Sequence, residues 1–142
     1  MDAITYTMKD YLKAVYLLEK SKARVKTTDL AEKFRIAPAS VTEMVQKMAT
    51  VGLLTYEPYR GVKLTDQGRR FVMQVLRGHR LLEKLLVDFV GMDASVACDE
   101  ASKLELVVSD RVVNGICIAF HHPTTCPCGK PIFRDAHCCG GK

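Results

Sequence analysis

His79 and Glu83 stand four residues apart in a stretch of helical spacing, so an imidazole and a carboxylate project from one face. Cys98 and Glu105 are seven apart, two helical turns, and share a face with Ser102 between them. With Asp10 from an earlier helix these groups form a candidate divalent-metal set. Imidazole and carboxylate suit Fe2+, Mn2+ or Zn2+, and a thiolate biases the choice toward softer ions. Four of the six cysteines, Cys126, Cys128, Cys138 and Cys139, crowd the last 17 residues. With His137 they supply the donors of a second metal site, either a tetrahedral Zn2+ site or an iron–sulfur cluster. Cys117 lies in an apolar stretch and reads as core. A lone His-x3-Glu pair equally describes a surface hydrogen bond, and a frayed tail equally carries incidental thiols. The weight of these constellations therefore rests on the elements that position them.

Those elements are mostly helical. Apolar residues at 8, 11, 12, 15 and 18 predict a first helix. The hydroxyls of Thr27 and Thr28, followed by Asp29, predict the cap of a short second helix to Phe34. A break at 35–38 precedes a third, from Pro38 to Thr50, stopped by Gly52. Leu53–Glu57 and Gly61–Leu64 read as two strands around a turn at 58–61. Thr65 caps a long helix to about Val90, and Asp93 caps another expected to run to Phe120, ahead of Pro123. Little regular structure is expected from His121 onward.

Nearly half the 142 residues are hydrophobic, which excludes a disordered chain. No apolar run approaches the ~20 residues of a membrane helix, and the N-terminus carries scattered charge and no small-residue cleavage site. A cytoplasmic protein without a membrane partner is expected, in which cysteines serve as metal ligands or small core residues rather than disulfides. Residues 1–80 hold 15 Lys and Arg against 8 Asp and Glu, whereas residues 81–142 hold 6 against 8. A basic first half suits a phosphate backbone, although ordinary solvated surface has the same signature.

Three helices followed by a hairpin make the winged helix-turn-helix pattern. In the third helix Val41, Met44, Val45 and Met48 fall on one side. The opposite side carries Ala39, Glu43, Gln46 and Thr50, flanked by Ser40, Thr42 and Lys47, small or polar groups suited to a major groove. Thr27 and Thr28 offer a helix N-terminus to a phosphate, and Tyr59, Arg60 and Lys63 on the hairpin can grip another. The expected partner is double-stranded DNA. A protein-interaction winged helix with a structural zinc is the alternative use of the same fold.

With these residues in place the chain resembles the diphtheria-toxin-repressor family of iron- and manganese-responsive regulators, in its short form without an SH3-like domain. The resemblance rests on Asp10-Tyr-Leu, Ser40-Val-Thr, Arg60-Gly-Val-Lys-Leu-Thr65 with Gly68, His79-Arg-Leu-Leu-Glu83, Asp99 to Glu105 with Ser109-Asp110, and Cys126-Pro-Cys-Gly-Lys-Pro-Ile132, collinear from about residue 6 to 132. It implies a mainly α fold: a winged helix-turn-helix domain over 1–64, a helical dimerisation and metal-sensing domain over 65–125, and a Cys-rich tail over 126–142. It also implies a homodimer repressing at a palindromic operator. His79, Glu83 and Cys98 would fall on the ancillary metal site, Cys98 replacing a histidine. Asp10, Ser102, Glu105 and Leu106 would fall on the primary site, where Ser102 and Leu106 replace expected ligands and Lys13 stands in place of a glutamate. Two alternatives accompany this reading: a redox or iron–sulfur sensor using the tail, and a thiol- or metal-dependent enzyme using Cys126 and Cys128. Against an enzyme, the sequence has no phosphate-cradling loop and no Ser/His/Asp arrangement.

Overall fold

The computed structural model describes residues 6–140, in the order α1 (Tyr6–Glu19), α2 (Thr27–Phe34), α3 (Pro38–Thr50), β1 (Leu54–Glu57), β2 (Gly61–Leu64), α4 (Asp66–Leu85), α5 (Ala94–Leu104), α6 (Asp110–Ala119) and a single turn α7 (Ala136–Cys139). The fold is mainly helical with one two-stranded antiparallel sheet. The chain divides by compactness into two units, up to Val72 and from Met73 onward. That division falls inside α4, beyond the 64/65 junction at which sequence patterning changes.

In the first unit, Val41, Val45 and Met48 on α3 are completely buried, as are Leu12 and Val15 on α1 and Leu30 on α2. The apolar period at these positions is what makes α3 a helix with one inward stripe. Tyr11 stacks on Phe34 with ring centroids 4.7 Å apart. Arg35, at φ +56°, ends α2 in the left-handed region and starts the turn into α3. The wing pairs Leu54 with Leu64 and Glu57 with Gly61, and Val25 adds a bridge to Val62. Glu19 closes the unit, accepting from Leu64 N at 3.0 Å and from Arg69 Nη2 at 2.7 Å.

Thr65 links the wing to α4: its hydroxyl donates to Gly52 O at 2.7 Å and accepts from Gly68 N at 3.0 Å. Gly68 is required there, because a Cβ would sit 2.0 Å from Leu53 O. The start of α2 departs from expectation. Its cap position is Lys26, whose backbone N–H donates to Asp29 Oδ2 at 2.9 Å, so an acid three residues into the helix does the work expected of the threonine hydroxyls.

The second unit is built on the later turns of α4. Leu81, Leu82, Ala101, Val113, Ile116, Cys117, Cys126 and Ile132 form its core. Three expectations are corrected here. α4 ends at Leu85 and continues as a π-helical turn, Leu86–Val90, closed by Gly91 at φ +86°. Asp93 occupies the cap position of α5 without a side-chain cap bond. The expected helix to Phe120 is broken at 105–109, because the Ser109 hydroxyl accepts from Val112 N at 3.3 Å and caps a new helix, α6. The segment after α6 is folded against this core. Arg77 Nε donates to Phe133 O at 3.0 Å and Arg80 Nη1 to Pro131 O at 2.6 Å, which fixes the tail by its backbone. No helix among the described residues is long and apolar enough to cross a membrane.

Candidate metal centre and nucleic-acid face

α4 places His79 and Glu83 one turn apart on its inward face, and both are buried. Cys98 reaches them from α5, with Sγ 3.5 Å from His79 Nε2. Glu83 Oε2 lies 3.5 Å from the same ring nitrogen. The donor atoms of His79, Glu83 and Cys98 all lie within 4.8 Å of one another. The other ring nitrogen, Nδ1, is 2.7 Å from Oε2 of Glu105, whose side chain is 0% exposed. Glu105 follows the last residue of α5 with helical backbone angles, φ −60° and ψ −27°, so it stays on the face of Cys98, two turns earlier. Cys128 arrives from the tail and donates to Glu83 Oε1 at 2.7 Å. That bond to a carboxylate pushes its thiol up to about 11.

The donor types decide what such a site can hold. One nitrogen, carboxylate oxygens and thiol sulfurs together fit a divalent transition ion better than Mg2+ or Ca2+, which take oxygen alone. These residues fit the metal chemistry expected of them.

Within the second unit the expected residues do not all converge. Glu105, placed by resemblance with Asp10 and Ser102, faces His79. Ser102 Oγ donates to Cys98 O at 3.0 Å, and Leu106 is half-buried. Asp10 is exposed on α1 in the first unit, 3.5 Å from Lys9 Nζ. The tail donors divide as well. Cys126 is buried in the core, Cys128 joins Glu83 and His137 is exposed. Cys138 and Cys139 are brought together instead with Cys117 and His122, all four donor atoms within 4.8 Å. Burial pushes the Cys117 thiol up to about 12, while a backbone hydrogen bond at Asp135 holds Cys139 at about 7. Sequence reasoning counted His122 among nearby tail candidates but assigned Cys117 to the core; the available signal was a Cys-x4-His spacing across a helix end.

The other candidate face belongs to the first unit. Ala39, Ser40, Glu43, Gln46, Lys47 and Thr50 are exposed along α3, and Met44 is half-buried. The hydroxyls of Thr42 and Thr50 bond back to Pro38 O and Gln46 O. At the wing tip Tyr59 is 98% exposed at φ +66°, its carbonyl held by Arg24 Nη1 at 3.0 Å. Arg60 is exposed beside Glu57 at 3.5 Å. Thr27, Thr28 and Tyr59 line one cleft of about 480 Å³ with Lys26 and Pro58. A helix N-terminus, a lysine and wing backbone around one opening suit a phosphate.

Comparison with known proteins assigns both halves of the chain to one family. Residues 3–62 match the family described as iron dependent repressor, N-terminal DNA binding domain, and residues 65–134 match iron dependent repressor, metal binding and dimerisation domain. The chain is 38% identical over 111 residues to an uncharacterized HTH-type transcriptional regulator of Methanocaldococcus jannaschii, covering 78% of this chain and 89% of that one. It is 33% identical over 132 residues to the iron-dependent repressor IdeR of Mycobacterium tuberculosis, covering 93% of this chain but 57% of the relative. Among solved structures, a manganese-dependent transcriptional repressor in complex with manganese superposes with a TM-score of 0.77 at 37% identity, over 87% of this chain and 57% of that one. This chain thus spans little more than half the length of those two repressors.

Proposed function

Because the chain belongs to the iron-dependent repressor family, we propose that it is a dimeric transcriptional repressor whose first unit binds DNA and whose second unit holds a regulatory divalent metal ion. The observation that carries the metal half is the buried convergence of His79, Glu83 and Cys98 with Glu105 behind the imidazole. When bound, Fe2+ or Mn2+ would be held by His79, Glu83 and Cys98 and would supply positive charge beside the buried Glu83 carboxylate. Glu105 accepts from His79 Nδ1, fixes the tautomer and leaves Nε2 as the donor. Cys128 must give up its hydrogen bond to Glu83 Oε1, or its proton, for that carboxylate to serve fully as a ligand.

α4 relates these residues to the DNA half. It is one continuous helix, capped by Thr65 beside the wing and carrying His79 and Glu83 in its later turns. Among the described residues, seven of the ten large exposed hydrophobics, Phe89, Val90, Val96, Leu104, Val107, Val112 and Ile118, lie in the second unit. An apolar surface of that kind supports a homodimer, and a dimer calls for a two-fold symmetric operator.

The test is operator affinity, measured by fluorescence anisotropy on duplexes selected from a random pool by the Mn2+-loaded chain. A coupling of about 1–3 kcal/mol predicts a rise of roughly 5–150-fold from chelator to Mn2+ or Fe2+. An Asp10→Asn chain, assayed in parallel, reports whether that carboxylate takes part in the response. Equal wild-type affinity in chelator and in each metal contradicts the proposal.

A further inference from the structure

The cluster of Cys117, His122, Cys138 and Cys139 stands apart from the centre at His79 and has no part in the regulatory reading. Its members come from two distant stretches of sequence, the end of α6 and the turn α7. Cys117 Sγ is 3.3 Å from His122 Nδ1 and 3.8 Å from Cys139 Sγ. A tetrahedral Zn2+, about 2.3 Å from sulfur and about 2.0 Å from nitrogen, spaces its ligand atoms about 3.5–3.8 Å apart. The two distances bracket that range, before any ion draws the ligands in.

Three further features agree. His121 and His122 are consecutive non-glycine residues in the left-handed region, at φ +58° and +55°. L-residues avoid that conformation, and here it turns the chain at the end of α6 so that the second imidazole meets Cys117. Asp135 caps α7, accepting from His137 N at 2.9 Å and from Cys138 N at 3.0 Å, and so presents two adjacent cysteines on one turn. Arg77 is buried, and its Nη2 has no hydrogen-bond partner among the described residues.

We propose that Cys117, His122, Cys138 and Cys139 form a second metal site, a tetrahedral Zn2+ centre that pins the C-terminal turn to α6. Three thiol protons leave to solvent as the ion binds, and no electron moves. Three thiolates, a neutral imidazole and Zn2+ carry a net charge of about −1, which the buried Arg77 guanidinium balances. Ligand atoms this close suit a single ion; the cysteines of an iron–sulfur cluster spread around several iron atoms.

The experiment uses the full chain, loaded with Zn2+, passed through a desalting column and analysed for metal by plasma mass spectrometry. One Zn2+ per chain should survive in a Glu83→Gln, Cys98→Ser chain and be lost in a Cys138→Ser, Cys139→Ser chain. Co2+ in the same site should give thiolate charge-transfer and tetrahedral visible bands, kept by the first variant and lost by the second. Should the second variant fail to fold, the wild-type chain still decides. Zn2+ should slow alkylation of Cys138 and Cys139 by N-ethylmaleimide at least tenfold, reversibly with chelator. Equal alkylation with and without Zn2+ overturns the proposal. So does Zn2+ content unchanged in a folded Cys138→Ser, Cys139→Ser chain, a Cys117–Cys139 disulfide in protein prepared under reductant, or the absorbance of an iron–sulfur cluster.

Discussion

Replacing Glu83 with Gln separates a metal ligand from a structural carboxylate, because the two roles predict opposite signs. Gln keeps the volume and an oxygen that can accept from Cys128, but removes one of two buried carboxylates around a single imidazole. His79 retains its shorter contact, to Glu105 at 2.7 Å. Without metal the variant should therefore be as stable as wild type or slightly more so, within about 1 kcal/mol. With metal the outcome reverses. An ion present at 100 times its Kd stabilises the wild-type fold by ~2.7 kcal/mol. If losing this ligand weakens binding ~100-fold, the same concentration stabilises the variant by only ~0.4 kcal/mol. The difference of ~2.3 kcal/mol corresponds to about 15 °C in Tm for a unit of this size. Thermal unfolding in chelator and in Mn2+, followed by circular dichroism, reads both values. The reasoning is refuted if Glu83→Gln keeps the full metal-induced rise. It is equally refuted if the variant's Tm in chelator falls by as much as the rise, since Glu83 would then be holding the fold together.

Four other outcomes follow from the same structure. Val107 and Val112 are 64% and 50% exposed in the second unit, so Val107→Asp with Val112→Asp should give a folded monomer by analytical ultracentrifugation; an unchanged dimer places the interface elsewhere. Gly68→Ala would gain up to about 1 kcal/mol from helix propensity, but its Cβ would meet Leu53 O at 2.0 Å, so urea unfolding should show a net loss of about 3 kcal/mol or more; wild-type stability would mean that α4 shifts freely. Lys47→Ala, on the exposed side of α3, should lower the slope of log affinity against log salt by about 0.9, and an unchanged slope removes Lys47 from the phosphate contacts. Asp29 is held below its ordinary value of 3.8 by the Lys22 ammonium and the Lys26 N–H. Its stabilisation is then complete above 3.8 and fades as pH falls through the lower folded value. Asp29→Asn should cost about 1 kcal/mol at neutral pH, a gap that closes in acid; a gap independent of pH contradicts the ion pair.

What could be read from sequence was whatever local periodicity or capping encodes. The stripe at Val41, Val45 and Met48 and the Thr65 cap both act within a few residues. The pairing of His79 with Glu83 was legible for the same reason, being four apart on one helix. Glu105 was legible through its two-turn spacing from Cys98, and because its backbone stays helical it meets His79 from that same face. Ser109-Asp110 did signal a new helix start, but apolar spacing that continued through Val107 and Val108 masked it. The meeting of Cys128 with Glu83 depends on Arg77 and Arg80 holding tail carbonyls, contacts 56 and 51 residues apart in sequence with no periodic signature. Cys117 looked like core, and it is buried; its second identity emerges only once α7 is folded against it.

The account stands on an ion held between α4 and α5. Crystals of the full chain grown with Mn2+, with data collected on both sides of the manganese absorption edge, test this most directly. We expect an anomalous peak within bonding distance of His79 Nε2, a Glu83 carboxylate oxygen and Cys98 Sγ, with Glu105 still on His79 Nδ1. An anomalous map that is blank at these three side chains while manganese scatters elsewhere in the same crystal would contradict it.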